Sequence, residues 1–257
     1  MLYQKLNPLI RAACIVAGIV IVLLCWHFSV KAGWVSDLLL PPPSSVAAAL
    51  AKMMETHSFW TDVSSTVFTW ALGVILGTVI GGILGFVLGL NRYVWAAAEP
   101  WVEFIRALPS VVLVPLISLF FGVGTNSRLA CAALVVAVLM ASSASTAIHA
   151  TRGSYLRLAI AWRASLLQTI VSFYFPATLS HMVVALRAAI PLALIVTVAA
   201  DMLIATDTGI GRILMDSFAV FDTSKLYAGV IVVGVLGYLS MGISSFIERK
   251  TIHWSGS

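Results

Sequence analysis

Six long apolar runs dominate this sequence and restrict the folds that it can adopt. They lie near residues 10–30, 64–90, 101–122, 127–149, 181–204 and 226–247. A helix that crosses a bilayer needs about 20 apolar residues, so each run is long enough to be a transmembrane helix. Only 10% of the 257 residues are charged, against roughly 25% in a soluble domain. The sequence therefore predicts an all-α integral membrane protein with about six spans, forming a single domain over residues 1–257.

The first apolar run also has the character of a signal peptide, but we interpret it as a true span. No A-x-A-like cleavage site follows it, and about 20 residues is long for a signal core. The distribution of Lys and Arg favours an N-terminus and a C-terminus in the cytoplasm, with ten of fifteen basic residues inside. The five that fall outside in this arrangement are Lys31, Lys52, Arg128, Arg212 and Lys225.

Two segments outside the spans have helical character. After the first span, three consecutive prolines prevent the helix from continuing. Ser44 or Ser45 is then expected to cap a short helix that ends near His57. We expect that helix either to pack over the protein or to form part of a docking surface for an external partner. A second segment, residues 150–176, lies between spans four and five on the predicted cytoplasmic side.

The 150–176 segment is basic and divides into two predicted helices. One is expected near residues 155–162, and the other begins after Ser165, which forms an S-x-x-Q capping box with Gln168. Apolar side chains with arginines beside them favour docking to a soluble protein, although contact with anionic lipid is an alternative. The residues predicted to form this coupling surface are Arg157, Leu158, Ala159, Trp162, Arg163, Ala164, Ser165 and Gln168.

Several features inside the spans are candidates for packing or for a transport pathway. Glycine recurs at every fourth residue of span two, which predicts close helix packing, either within one subunit or between two; these are Gly73, Gly77, Gly81, Gly85 and Gly89. Pro109 predicts a bent or broken third span, which either lines the pathway or is an inert kink. Asp201 is a pathway or gate candidate because an ionisable group at membrane depth is often functional, and a position at the headgroup level is the alternative. Ser142, Ser143 and Thr146 serve either interhelical hydrogen bonds or a hydrophilic route.

The sequence carries no sign of enzymatic chemistry. It has no Gly-Lys pair and therefore no Walker A motif, and it has no G-x-S-x-G or H-E-x-x-H string. Cys14, Cys25 and Cys131 are scattered within apolar runs, so no metal site is expected. The net charge of +5 does not indicate nucleic-acid binding, because the basic residues form no patch. We expect no enzyme activity and no cofactor in this chain.

Four strings, in this order, resemble the inner-membrane permeases of bacterial ABC importers of the nitrate, taurine and alkanesulfonate branch. They are LLLPPPSSVAAAL, RALPSVVLVPLISLFFGVG, FPATLSHMVVALRAAIPLALIVTVAADML and GIGRILMDSFAVFDTSKLYAGVIVVGVLGY. The resemblance implies alternating access for a small solute, anions included. It also implies a second permease subunit, identical or related, an external solute-binding protein, and two cytoplasmic ATPases that bind ATP and Mg. A secondary transporter without ATP, or a scaffold or regulatory subunit, is the alternative.

The resemblance also assigns residues 150–176 as the element that sits in a cleft of the ATPase. The family motif in this loop is Glu-Ala-Ala, three residues, then Gly, with a proline downstream. Counted back from Pro176, Arg157 stands at the glutamate position and Arg163 at the glycine position. Both substitutions affect the turn, because a side chain disfavours the positive φ that glycine permits. The capping box at Ser165 is expected to supply the turn instead.

Overall fold

The structure is a computed structural model that describes residues 8–204 and 207–251. Its regular elements are helices, and the two termini, which were predicted to be cytoplasmic, lie outside the described residues. In chain order the elements are α1 (Pro8–Lys31), α2 (Pro43–Glu55), α3 (His57–Leu90), α4 (Arg92–Ala107), a 3-10 turn (Ser110–Val112), α5 (Leu113–Phe121), α6 (Thr125–Ala161), α7 (Leu166–Thr169), a π-helix (Ile170–Tyr174), α8 (Phe175–Leu203), α9 (Ile210–Ala219) and α10 (Thr223–Thr251).

The prediction of an all-α membrane protein with about six apolar spans is confirmed. Five helical stretches are long and apolar enough to cross a bilayer: Leu9–Lys31, His57–Leu90, Thr125–Thr151, Leu167–Leu203 and Thr223–Thr251. A pair of helical stretches, Arg92–Ala107 and Ser110–Phe121, has a bend of 90° between them and makes a sixth when it is counted as one broken span. Span five begins well before residue 181, because α7, the π-helix and α8 follow one another with no residue between them.

The described chain packs as two compact units, one of residues 8–59 with 213–231 and the other of the remainder. In the first unit the indole of Trp26 donates to the carbonyl oxygen of Pro41 (3.0 Å). The Tyr227 hydroxyl donates to the carbonyl oxygen of Leu39 (3.2 Å). The predicted serine cap of α2 is wrong, because the helix begins at Pro43 after an extended Pro42 with no side-chain cap. Proline suits the first helical position, since its fixed φ matches the helix and it has no amide proton to satisfy.

The second unit is built on the packing of α3 and α8 against α6. Its core contains Val136, Met140 and Ala144 of α6 with Ala189 and Ala193 of α8. The indole of Trp70 on α3 donates to the carbonyl oxygen of Ile190 on α8 (2.9 Å). These contacts hold three spanning helices together within one chain.

The glycines of span two lie against α6. A Cβ atom built on Gly73 would come within 2.5 Å of Ala132 Cβ, and one on Gly81 within 2.2 Å of the carbonyl oxygen of Ala137. Gly77, Gly85 and Gly89 meet α6 in the same way, at distances from 2.3 to 3.0 Å. Side chains at these positions would push the two helices apart. The glycine repeat therefore serves a contact within this subunit.

Candidate functional site

The segment between α6 and α8 differs from its prediction in one respect. The expected short helix near residues 155–162 is wrong as a separate element, because α6 continues from Thr125 to Ala161. The connection is reduced to residues 162–165, and we call residues 157–168, which include the helix ends on either side of it, the elbow. Pro176 does not interrupt the second helix, because it occupies the first turn of α8. The π-helix that precedes it, Ile170–Tyr174, loosens the backbone at the point where proline supplies no amide proton.

Two hydrogen-bonded motifs shape the elbow. Arg163 has φ 51°, so this arginine itself adopts the left-handed conformation that the glycine position requires. The amide of Ala164 donates to the carbonyl oxygen of Ala159 (2.9 Å), which is the longer bond of a Schellman motif. The predicted capping box is also present. The Ser165 amide donates to Gln168 Oε1 (2.8 Å), and the Gln168 amide donates to Ser165 Oγ (3.3 Å).

The elbow presents both apolar and basic side chains on its surface. Trp162 is 75% exposed, and Leu158, Arg157 and Arg163 are exposed as well. Ala159 does not join them, because it is buried, and Ala164 is half-buried. An exposed tryptophan between two arginines is a composition typical of protein interfaces.

The opposite end of the α6–α8 pair holds a buried ion pair between Arg128 of α6 and Asp201 of α8. Arg128 Nε lies 2.5 Å from Asp201 Oδ1, and both side chains have zero exposure. The Thr66 hydroxyl of α3 donates to Asp201 Oδ2 (2.6 Å). Arg128 Nη1 donates to Ser65 Oγ (3.2 Å) and to the carbonyl oxygen of Thr208 (3.0 Å). These bonds join α3, α6 and α8, and we call the group the clasp.

A second set of bonds attaches residues 208–212 to α3 beside the clasp. Asp62 accepts from the amide of Gly209 (2.8 Å) and from Arg212 Nη2 (2.9 Å). The Ile210 amide, at the start of α9, donates to Thr66 Oγ1 (2.9 Å). Gly209 has φ 133°, and a Cβ atom there would lie 2.5 Å from Asp201 Oδ2. Only glycine combines that backbone with so close an approach to a carboxylate.

Of the remaining pathway candidates, some are buried or hydrogen-bonded between helices and others are exposed. The Ser143 hydroxyl donates to the carbonyl oxygen of His181 (3.1 Å), while Ser142 is buried and Thr146 is exposed. Pro109 stands at the break between α4 and the 3-10 turn. The structure thus brings none of Ser142, Ser143, Thr146 and Pro109 into contact with the clasp. Among the described residues there is no group of three His, Cys, Asp or Glu side chains that fits a metal ion.

Residues 73–253 match the family of the binding-protein-dependent transport system inner membrane component. The chain belongs to this family of ABC importer permeases. It is 23% identical to a putative aliphatic sulfonates transport permease protein of Bacillus subtilis over 92% of this chain and 86% of the relative. It is 25% identical to the taurine transport system permease protein of Escherichia coli, over 97% of this chain and 92% of the relative.

A solved structure supports the fold of the permease. The methionine ABC transporter MetNI in an inward-facing conformation matches with a TM-score of 0.62 at 17% identity. The match covers 74% of this chain and 96% of the compared chain. At that identity the likeness concerns the fold alone.

Sequence reasoning identified the elbow of the permease but missed half of the clasp. The charge distribution predicts Arg128 on the outer side of the membrane and gives it no other role. In the structure its side chain is fully buried and paired with Asp201. Arg212 was grouped with it and is also paired, with Asp62. The available signal was the isolated acid in span five, since an intramembrane carboxylate normally has a basic partner at the same depth.

Proposed function

We propose that this permease forms the solute route of an ATP-driven importer for a small organic sulfonate, working by alternating access. The family implies that a binding protein and ATPase subunits work with it, and two relatives are named for taurine and for aliphatic sulfonates. In this proposal the elbow faces the cytoplasm and contacts the ATPase, which binds ATP and Mg. The chain performs no covalent step. It transmits the motion of the ATPase to the spans and pairs with a second permease subunit.

The observation that supports this coupling role is the construction of the elbow. The elbow joins α6 to the helical stretch that continues into α8, so a force applied there acts on both spanning helices. The Schellman motif and the capping box fix its backbone. Trp162, Arg157 and Arg163 remain exposed, and a matching partner surface would be acidic with an apolar pocket.

Uptake by the assembled complex tests the function. The permease, its ATPase subunits and its binding protein are reconstituted in proteoliposomes with ATP on the elbow side, and uptake of labelled taurine and ethanesulfonate is measured. We expect uptake that requires ATP and is inhibited by vanadate. Uptake that persists without ATP would instead support a secondary transporter.

Co-purification tests the elbow itself. Arg157→Glu combined with Arg163→Glu is expected to reduce the amount of ATPase that purifies with the permease, because two attractive charges become repulsive. Arg92→Glu, an exposed arginine at the start of α4, is the matched control and is expected to leave co-purification unchanged. Equal recovery of ATPase from all three proteins would contradict the coupling role, and a permease that purifies with no ATPase at all would favour a scaffold.

A further inference from the structure

Helix α4 has three distinct faces, and one of them is polar. Its protein-facing side carries Trp95, which is buried. A second side exposes the aromatic residues Tyr93, Trp101 and Phe104, which follow helical spacing. The third side carries charged residues at the same spacing, all exposed, and they are Arg92, Glu99, Glu103 and Arg106. The hydrocarbon of a bilayer suits the second side but not the third.

The charged face of α4 extends to a level near the middle of the apolar stretch of α6. The Trp95 ring lies 6.2 Å from the ring of His149 on α6. Further along α4, Arg106 borders a cavity of about 40 Å³ that is also lined by Val138 and Leu139. Val138 stands at the midpoint of the apolar stretch Thr125–Thr151, about 20 Å from either end. The C-terminal end of α4 is therefore level with the centre of this stretch.

Glu103 and Arg106 form an ion pair at this depth. Arg106 Nη2 lies 2.9 Å from Glu103 Oε2, and the side chains are 49% and 46% exposed. Charged side chains that face hydrocarbon are strongly disfavoured, and in membrane proteins they face a water-filled cavity or another polar group. Helices broken at membrane depth, as this one is at Pro109, are also a feature of solute sites in transporters.

We propose that the polar face of α4 lines the solute route and that Glu103 and Arg106 contact a small zwitterionic solute. This inference rests on the transport function proposed above. The guanidinium takes the anionic group of the solute, and the carboxylate takes its ammonium group. A zwitterion replaces one internal ion pair with two intermolecular pairs, whereas a simple anion leaves Glu103 without a partner. The pair therefore favours a solute with both charges over an anion of similar size.

Thiol accessibility tests the route without any assumption about the solute. Glu103→Cys and Phe104→Cys are neighbours on the polar and aromatic faces, and each is made in a chain whose three native cysteines are replaced by alanine. A water-soluble, charged thiosulfonate reagent is added to the assembled complex. We expect the Glu103→Cys thiol to react at least about tenfold faster, because only a hydrated thiol ionises readily. Equal rates, or reaction at Phe104→Cys alone, would overturn the assignment of the polar face.

Uptake of two matched solutes tests the contacts. Taurine carries an ammonium and a sulfonate, and ethanesulfonate carries the sulfonate alone. Arg106→Gln is expected to lower uptake of both by about 10- to 100-fold, the range for loss of one charge-assisted hydrogen bond. Glu103→Gln is expected to lower uptake of taurine only. Arg11→Gln, an exposed arginine on α1, is the control and is expected to change neither rate.

A charge exchange separates solute contact from helix stability. Glu103→Arg with Arg106→Glu restores an ion pair between the same two positions. A purely structural pair would regain wild-type uptake in this variant, and that result would overturn the proposal. We expect the exchange to restore the thermal stability of the complex but not taurine uptake. If the wild-type complex transports neither solute while the Glu103→Cys thiol is accessible, the proposed solute class fails and the hydrated route stands.

Discussion

The two ends of the α6–α8 pair contain the same kinds of side chain in opposite environments. At the clasp, the charges of Arg128 and Asp201 have no exposure and are bonded to three helices. At the elbow, Arg157 and Arg163 are exposed, and the bonds that define its shape are made by the backbone and by Ser165 and Gln168. Because Arg128 and Asp201 are buried and bonded, they fix how the helices pack. Because Arg157 and Arg163 are exposed, they remain available to contact another protein.

Removal of one charge from the clasp should have the largest effect on stability. Arg128→Leu leaves the Asp201 carboxylate buried without its ionic partner, so we expect the free energy of unfolding to fall by about 3–5 kcal/mol. Arg128→Leu with Asp201→Leu removes both charges and should recover a large part of that loss. Unfolding in detergent micelles, followed by helical circular dichroism, measures both.

Arg187 gives the matched control for this experiment. It pairs with Glu248 at 3.1 Å but is 62% exposed, so Arg187→Leu should change stability by no more than about 1 kcal/mol. A loss for Arg128→Leu as small as that for Arg187→Leu would show that the clasp does not hold the helices together.

Alanine at two glycines should have opposite effects at the two ends. Beside the clasp, a Cβ atom on Gly211 would lie 2.4 Å from the carbonyl oxygen of Val198, which is a backbone atom of α8. Gly211→Ala should therefore lower the free energy of unfolding by about 1–3 kcal/mol. Near the elbow, the nearest atom to such a Cβ on Gly153 is Arg157 Nη1 at 3.8 Å. Gly153→Ala should raise stability by about 0.5–1 kcal/mol, since alanine favours a helix interior.

The melting temperatures of these two variants test the comparison directly. We expect them to move in opposite directions from that of the wild-type permease. A rise for Gly211→Ala would mean that residues 208–212 are not packed tightly against α8.

Loss of the capping box should have an intermediate and local effect. Gln168→Ala removes the acceptor of the Ser165 amide, and Ser165→Ala removes the acceptor of the Gln168 amide. Each is expected to destabilise the turn by about 0.5–2 kcal/mol. Hydrogen exchange should therefore accelerate at the elbow and remain slow around Asp201. Acceleration at both ends would show that the two regions unfold together.

The sequence predicted the spans and the capping box because those features depend on local pattern. Length and apolar composition identify a span, and the S-x-x-Q spacing identifies a cap whatever lies around it. The pairing of Asp201 with Arg128 in the clasp was not predicted, because Thr66, Arg128 and Asp201 come from three distant segments. Their pairing depends on helix packing, which a single sequence specifies only indirectly. The positive φ of Arg163 was also unexpected, because arginine prefers other backbone conformations. In the folded chain the Schellman hydrogen bond outweighs that preference.

The smallest effect on stability is expected for Arg163→Gly. A residue with a Cβ atom is disfavoured at φ 51°, so glycine relieves strain in the folded elbow but adds entropy to the unfolded chain. These contributions oppose each other, and we expect a net change within about 0.5 kcal/mol. Arg163→Val should instead destabilise the elbow by about 1–2 kcal/mol, because a β-branched residue is a poor fit at positive φ.

Co-purification then decides what the arginine side chain at this position does. With the elbow backbone preserved in Arg163→Gly, a lower recovery of ATPase reports the loss of the guanidinium itself. With the backbone disturbed in Arg163→Val, recovery and melting temperature should fall together. Full recovery of ATPase with Arg163→Gly would mean that only the turn matters at this position. The exposed guanidinium of Arg163, unlike the buried one in the clasp, would then have no role in binding: it would not contact the ATPase.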